Sequence, residues 1–188
     1  GLDATVANGT NRIAVGIQAA TATTTFHRNG VRPWRSAAAP GFWVLLGAIV
    51  GAIAAVRIST VALEWVFGLL FFVLAFLIAR KREWLTPSEI AETASARVRI
   101  PVLFSVGLYG GFLQAGVGIP LLLVLVNLVG FEAVRGNAAK SAVILVYSCV
   151  ILVIFNQAQQ VDWLFGAVLG IGGIIGSVLG TRLVIQRG

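Results

Sequence analysis

The chain has 188 residues, of which 58% are hydrophobic and only 11% charged, a balance that excludes an ordinary water-soluble domain. Its net charge of +7 does not signal nucleic acid, because eight of the fourteen cations fall in two clusters between apolar runs, Arg28/Arg32/Arg35 and Arg80/Lys81/Arg82/Arg97/Arg99. That is the distribution of topology-setting charge in a membrane protein. One cysteine, Cys149, rules out an intrachain disulfide or a cysteine-based metal site.

In chain order, the first apolar stretch, 4–26, is interrupted by Asn8, Thr10, Asn11, Arg12, Gln18 and a threonine-rich run. Residues 41–56 and 61–79 follow, separated by so few residues that they form an antiparallel helical pair if both span. From 80 to 100 the composition turns polar, and Thr86-Pro87-Ser88-Glu89 is a capping-box start for a short surface helix. Three more apolar runs, 101–129, 133–155 and 163–184, complete six expected spans. Alternation of these spans places the Arg28 to Arg35 loop and the 80–100 linker on one side, which their charge makes cytoplasmic.

The chain also matches itself. Offset by 129 residues, the step from Gly1 to Gly130, residues 1–59 align without a gap on 130–188. Asn8 meets Asn137, Phe26 meets Phe155, Trp34 meets Trp163, Gly47 meets Gly176 and Gly51 meets Gly180. The fold expected is therefore all-α, a polytopic membrane helix bundle with two four-helix repeats, each incomplete. Residues 1–79 form the first unit without its first helix, 80–100 a cytoplasmic linker, and 101–188 the second unit without its last helix. An even number of helices per unit predicts repeats in parallel orientation. The absence of methionine agrees with a missing segment ahead of Gly1.

Two regions stand out for function. Gly107-Leu-Tyr-Gly110-Gly111-Phe-Leu-Gln114-Ala-Gly116-Val-Gly118-Ile-Pro120 packs five glycines and a proline into one apolar run, which predicts a broken helix. The half-helix starting near Pro120 would offer free N–H groups to an anion, whereas close helix packing through glycine is the competing reading. Asn137, Lys140 and Ser141 share one helix face, and the repeat adds Asn8, Asn11 and Arg12. The cations lie about 10–12 Å inside their helices at 1.5 Å per residue. A cation at that depth calls for water, a partner or snorkelling to the interface, Arg12 being the better candidate for snorkelling. Gly47/Gly51 and Gly176/Gly180 read as helix-packing pairs. No nucleophile–base pair, phosphate loop or metal-ligand spacing is present, so neither an enzyme nor a cofactor is indicated.

The segment 107–120, followed by Gly130-Phe-Glu-Ala-Val-Arg-Gly-Asn137-Ala-Ala-Lys140-Ser, resembles the second half of the sulfite exporter TauE/SafE family. The resemblance implies a cell-membrane transporter, of the bacterial inner membrane, for small sulfur-containing anions such as sulfite or sulfoacetate. The expected site comprises Gln114, Gly116, Gly118, Pro120, Asn137, Lys140 and Ser141 with Asn8, Asn11 and Arg12. Expected partners are a small anion and the lipid bilayer, with a coupling proton or sodium ion and a homo-oligomer left open. The alternative is a non-transporting scaffold subunit, which a continuous helix through 107–129 and a lipid-facing Lys140 would favour.

Overall fold

A computed structural model describes residues 1–79 and 94–187; the capping box at Thr86 and the cations Arg80, Lys81 and Arg82 lie outside them. The described residues form seven helices: α1 (Ala4–Arg28), α2 (Pro33–Ala55), α3 (Thr60–Ala79), α4 (Ala96–Phe112), α5 (Gly118–Asn127), α6 (Ala133–Gln157) and α7 (Trp163–Arg187). α2, α6 and α7 are each long and apolar enough to cross a bilayer.

Their ends follow local chemistry. Asp3 and Glu132 sit as extended residues just ahead of α1 and α6, where a carboxylate favours the positive helix end. His27 and Arg28 close α1 at its negative end, and Gly30, at φ 83°, takes the left-handed turn that sends the chain back. Pro33 opens α2 at a position where no N–H is needed.

Contacts along the helices set their directions. Gly9 lies against Phe155 and Gly16 against Ser148, so α1 and α6 are antiparallel. Gly166 lies against Ile13 and Gly170 against Ile17, so α7 runs with α1. Ser36 bonds Arg135 near the start of α2 and α6, and Gln160 bonds the Val56 carbonyl beyond their other ends, so these two are parallel. α4 runs along α2 in backbone contact: a Cβ on Gly47 would lie 2.0 Å from the Phe104 carbonyl oxygen, and one on Gly111 1.9 Å from that of Ala48. Glycine at these positions is the condition of the contact.

The glycine-rich segment does not cross. α4 stops at Phe112, residues 113–117 turn, and α5 returns, because the Ala94 amide donates to the Leu128 carbonyl at 3.1 Å. The start of α4 and the end of α5 therefore lie at the same end of the bundle. At 1.5 Å per residue the ten residues of α5 cover about 15 Å, half a hydrocarbon layer. The expected single span over 101–129 is corrected to a re-entrant hairpin. Left-handed conformations at Gln114 (φ 61°) and Gly116 (φ 67°) reverse the chain.

That hairpin removes one crossing, and the orientation of everything after it inverts. The expected parallel orientation is corrected accordingly: α1 and α6, the helices matched by the 129-residue offset, run in opposite directions. α6 starts beside α2's start, at the end that also carries Arg28, Arg32, Arg35, Arg97 and Arg99; we call it the arginine end. Arg35 and Arg99 line one recess there, so the described members of the two clusters meet at that end.

Polarity is distributed inside-out. Val61, Trp65, Leu69 and Phe72 of α3 and Leu164, Ile171, Ile175 and Leu179 of α7 are exposed, while Asn8, Thr10 and Arg12 of α1 are buried. Apolar side chains on the outside and polar ones within suit a lipid surround.

Candidate anion site

Arg12 is 0% exposed, which excludes snorkelling. Its Nη1 donates to the Gly110 carbonyl at 2.8 Å and to Gln114 Oε1 at 2.7 Å, and its Nη2 to the carbonyls of Gly111 at 2.8 Å and Phe112 at 3.2 Å. These are carbonyls at the end of α4, which have no partner within their own helix and carry the negative end of its dipole. Asn8 adds a further polar contact, donating to the Phe112 carbonyl at 2.9 Å. The guanidinium also stacks 4.4 Å from the Phe155 ring centroid. Arg12 is thus neutralised by backbone rather than by a carboxylate, and it locks the hairpin tip onto α1.

The tip is further held by its own side chains. Gln114, 3% exposed, accepts from Arg12 and donates to Ser148 Oγ at 3.4 Å. The Tyr109 hydroxyl donates across the turn to the Ala115 carbonyl. Gly116 and Gly118 follow, and among the described residues no backbone carbonyl accepts the amide of Gly118, the first residue of α5. An unfilled amide at the start of a helix is an anion-favouring group.

These groups face a cavity of about 440 Å³ bounded by α1, the hairpin tip, α6 and α7. Gln114, Gly116, Gly118, Asn137, Lys140 and Ser141 all line it. Lys140 Nζ donates to Asn137 Oδ1 at 2.7 Å, while Asn137 Nδ2 donates to the Ala133 carbonyl at 3.0 Å and so aims its oxygen at the ammonium. Ser141 Oγ is turned back to the Asn137 carbonyl at 2.9 Å. No Asp or Glu lines the cavity, and among the described residues Lys140 has no acidic partner. Amide oxygen alone leaves its charge uncompensated.

The structure brings six of the ten expected residues together. Pro120 lies instead in a separate apolar recess with Leu70 and Tyr109. Asn8 and Arg12 sit behind the tip, their polar groups on the end of α4. Asn11 is half-buried on α1 and outside the lining. Sequence reasoning missed Gln18, Ser177 and Thr181, which complete the walls from α1 and α7. Gln18 was visible as a polar break in an apolar run, and Ser177 and Thr181 as small polar neighbours of Gly176 and Gly180.

A helical bundle with an apolar exterior, a re-entrant hairpin and a polar cavity lined by Lys140 defines an integral membrane protein. The family model "Sulfite exporter TauE/SafE" matches residues 1–187. The chain belongs to this family, a family of membrane transporters for sulfite-type anions and not of enzymes. Neither the curated proteins nor the solved structures contain a match.

Proposed function

We propose that this protein exports a small sulfur oxyanion or organosulfonate, sulfite or sulfoacetate, by alternating access, with the anion bound between Lys140 and the start of α5. The observation that carries this reading is an ammonium without a carboxylate, facing a cavity beside an unfilled helix N-terminus. An oxyanion supplies both missing interactions, accepting from Nζ and from the Gly118 amide. Asn137 orients Lys140, and Gln114, Ser177 and Thr181 provide polar walls that tolerate either a bare oxyanion or one with a short organic tail.

Alternating access draws support from the helix directions. α1 and α6 each have 25 residues and begin 129 positions apart, at Ala4 and Ala133, yet run oppositely. Gly30 and Gln159, also 129 apart, are both left-handed, and the turn bonds from Val31 to Phe26 and from Gln160 to Phe155 correspond. In this reading the repeat is an inverted one, the arrangement in which exchange between two related conformations opens a midplane site to each side. The arginine end is the cytoplasmic one. A proton or sodium ion provides coupling.

The scaffold alternative called for a continuous helix through 107–129 and a lipid-facing Lys140; the broken hairpin and the cavity meet neither condition. The test is sulfite and sulfoacetate flux in proteoliposomes containing the full-length protein. Lys140→Ala and Asn137→Ala should each abolish or strongly reduce saturable flux. Flux equal to the parent in both would remove Lys140 from the site.

A further inference from the structure

α2 and α4 touch through backbone at Gly47 and Gly111 but leave a crevice of about 360 Å³ near their starts. Pro40, Trp43, Ile100 and Leu103 give it apolar walls, and Arg35, Arg99 and Arg135 line it as well. No carboxylate lines it; Glu132 lines an adjoining recess together with Arg32, Arg35 and Arg135. None of its residues lines the Lys140 cavity, so the crevice is not the mouth of that site.

The placement of the three arginines is electrostatically unfavourable by itself. Arg35, Arg99 and Arg135 stand in the first turns of α2, α4 and α6, which begin at Pro33, Ala96 and Ala133. Three positive helix ends and three guanidiniums converge, where each cation alone would be repelled by its own dipole. Arg135 is held in place by Nε donating to Ser36 Oγ at 2.9 Å and by stacking 4.6 Å from the Phe131 ring centroid. Among the described residues its terminal nitrogens have no partner. Three guanidiniums beside apolar side chains between membrane helices, with no carboxylate of the described residues lining the crevice itself, match an amphiphile whose head is an anion.

We propose that this crevice binds an anionic phospholipid of the arginine-end leaflet. The phosphate diester takes the three guanidiniums, and the first part of an acyl chain lies against Trp43 and Leu103. The chemistry shared with soluble phosphate is the oxyanion; the apolar walls select the lipid.

The experiment compares the purified full-length protein in nanodiscs of phosphatidylcholine alone and with phosphatidylglycerol. It reads thermal midpoint and the lipid retained after detergent washing. The parent should gain stability from phosphatidylglycerol and keep it through washing. R35Q/R99Q/R135Q should lose at least about tenfold of that retention, with Arg135→Gln intermediate and Arg57→Gln, at the opposite end, unchanged. Inorganic phosphate at equal concentration should neither reproduce the stabilisation nor displace the lipid. The proposal fails if the triple variant retains phosphatidylglycerol like the parent, if phosphatidylcholine is retained equally, or if inorganic phosphate displaces the lipid.

Discussion

Arg12 of α1 and Gln114 of the hairpin tip are joined at 2.7 Å, both buried, and this bond ties a helix of the bundle wall to the chain reversal that forms the cavity floor. Replacing Arg12 with Leu leaves the carbonyls of Gly110, Gly111 and Phe112 without these donors in a buried setting. A loss of about 2–4 kcal/mol is expected, since buried acceptors then carry their full desolvation cost. Thermal unfolding in detergent measures it. Arg12→Lys keeps the charge but fewer donors in a less suitable geometry, and should fall between parent and Leu.

Gly116 carries a left-handed φ of 67°, and nothing lies within 4 Å of where a Cβ would stand. Gly116→Ala therefore tests backbone conformation without a clash. A destabilisation of about 1–2 kcal/mol is expected. Gly68→Ala, on the helical and equally open part of α3, should instead be neutral or stabilising. Equal thermal midpoints for the two variants would show that the tip adopts another conformation in the membrane.

At the cavity, Lys140→Gln removes the charge but keeps polarity, whereas Lys140→Arg keeps the charge. Loss of one charge-assisted hydrogen bond corresponds to roughly tenfold weaker anion binding, or about 1.4 kcal/mol. Sulfite binding to the purified protein by calorimetry should show that loss for Gln and a smaller one for Arg. Thr181→Val, a change of similar size on the facing wall, should weaken binding less than Lys140→Gln.

The inverted-repeat reading has a packing consequence. Gly47 and Gly51 of α2 seat α4, whereas their counterparts on α7, Gly176 and Gly180, have no atom within 4 Å. The reading makes this open face of α7 a second helix seat. In the full-length protein Gly176→Leu should then lower the thermal midpoint comparably to Gly47→Leu. A Gly176→Leu variant as tolerant as Gly68→Leu would show that this face meets lipid instead.

Much of this molecule could be read from residue order. The broken helix followed from the glycines and Pro120, and the shared face of Asn137, Lys140 and Ser141 from helical spacing. What could not be read was direction. A hairpin of α4 and α5 has the apolar content of one long span, and hydropathy counts residues without telling whether the chain continues or returns. The reversal depends on a left-handed Gln114, a residue type that gives no advance signal of that conformation. Arg12 was hidden for a different reason: its partners are backbone carbonyls, which every residue possesses. Neither Gly111 nor Phe112 announces that its carbonyl will be left free at a helix end.

The hairpin tip also determines where a membrane potential would act. Arg12, which holds the tip, lies eight residues into α1 from Ala4, about 12 Å at 1.5 Å per residue. The cavity occupies the half of the bundle toward the arginine end, and if it fills from that solution, that solution's potential reaches down to the tip. The voltage then drops across the thin packed layer beyond. In the proposed transport cycle an anion beside Lys140 would have crossed little of the field, and its passage past the tip would exchange nearly all of the ~2.3 kcal/mol per charge per 100 mV.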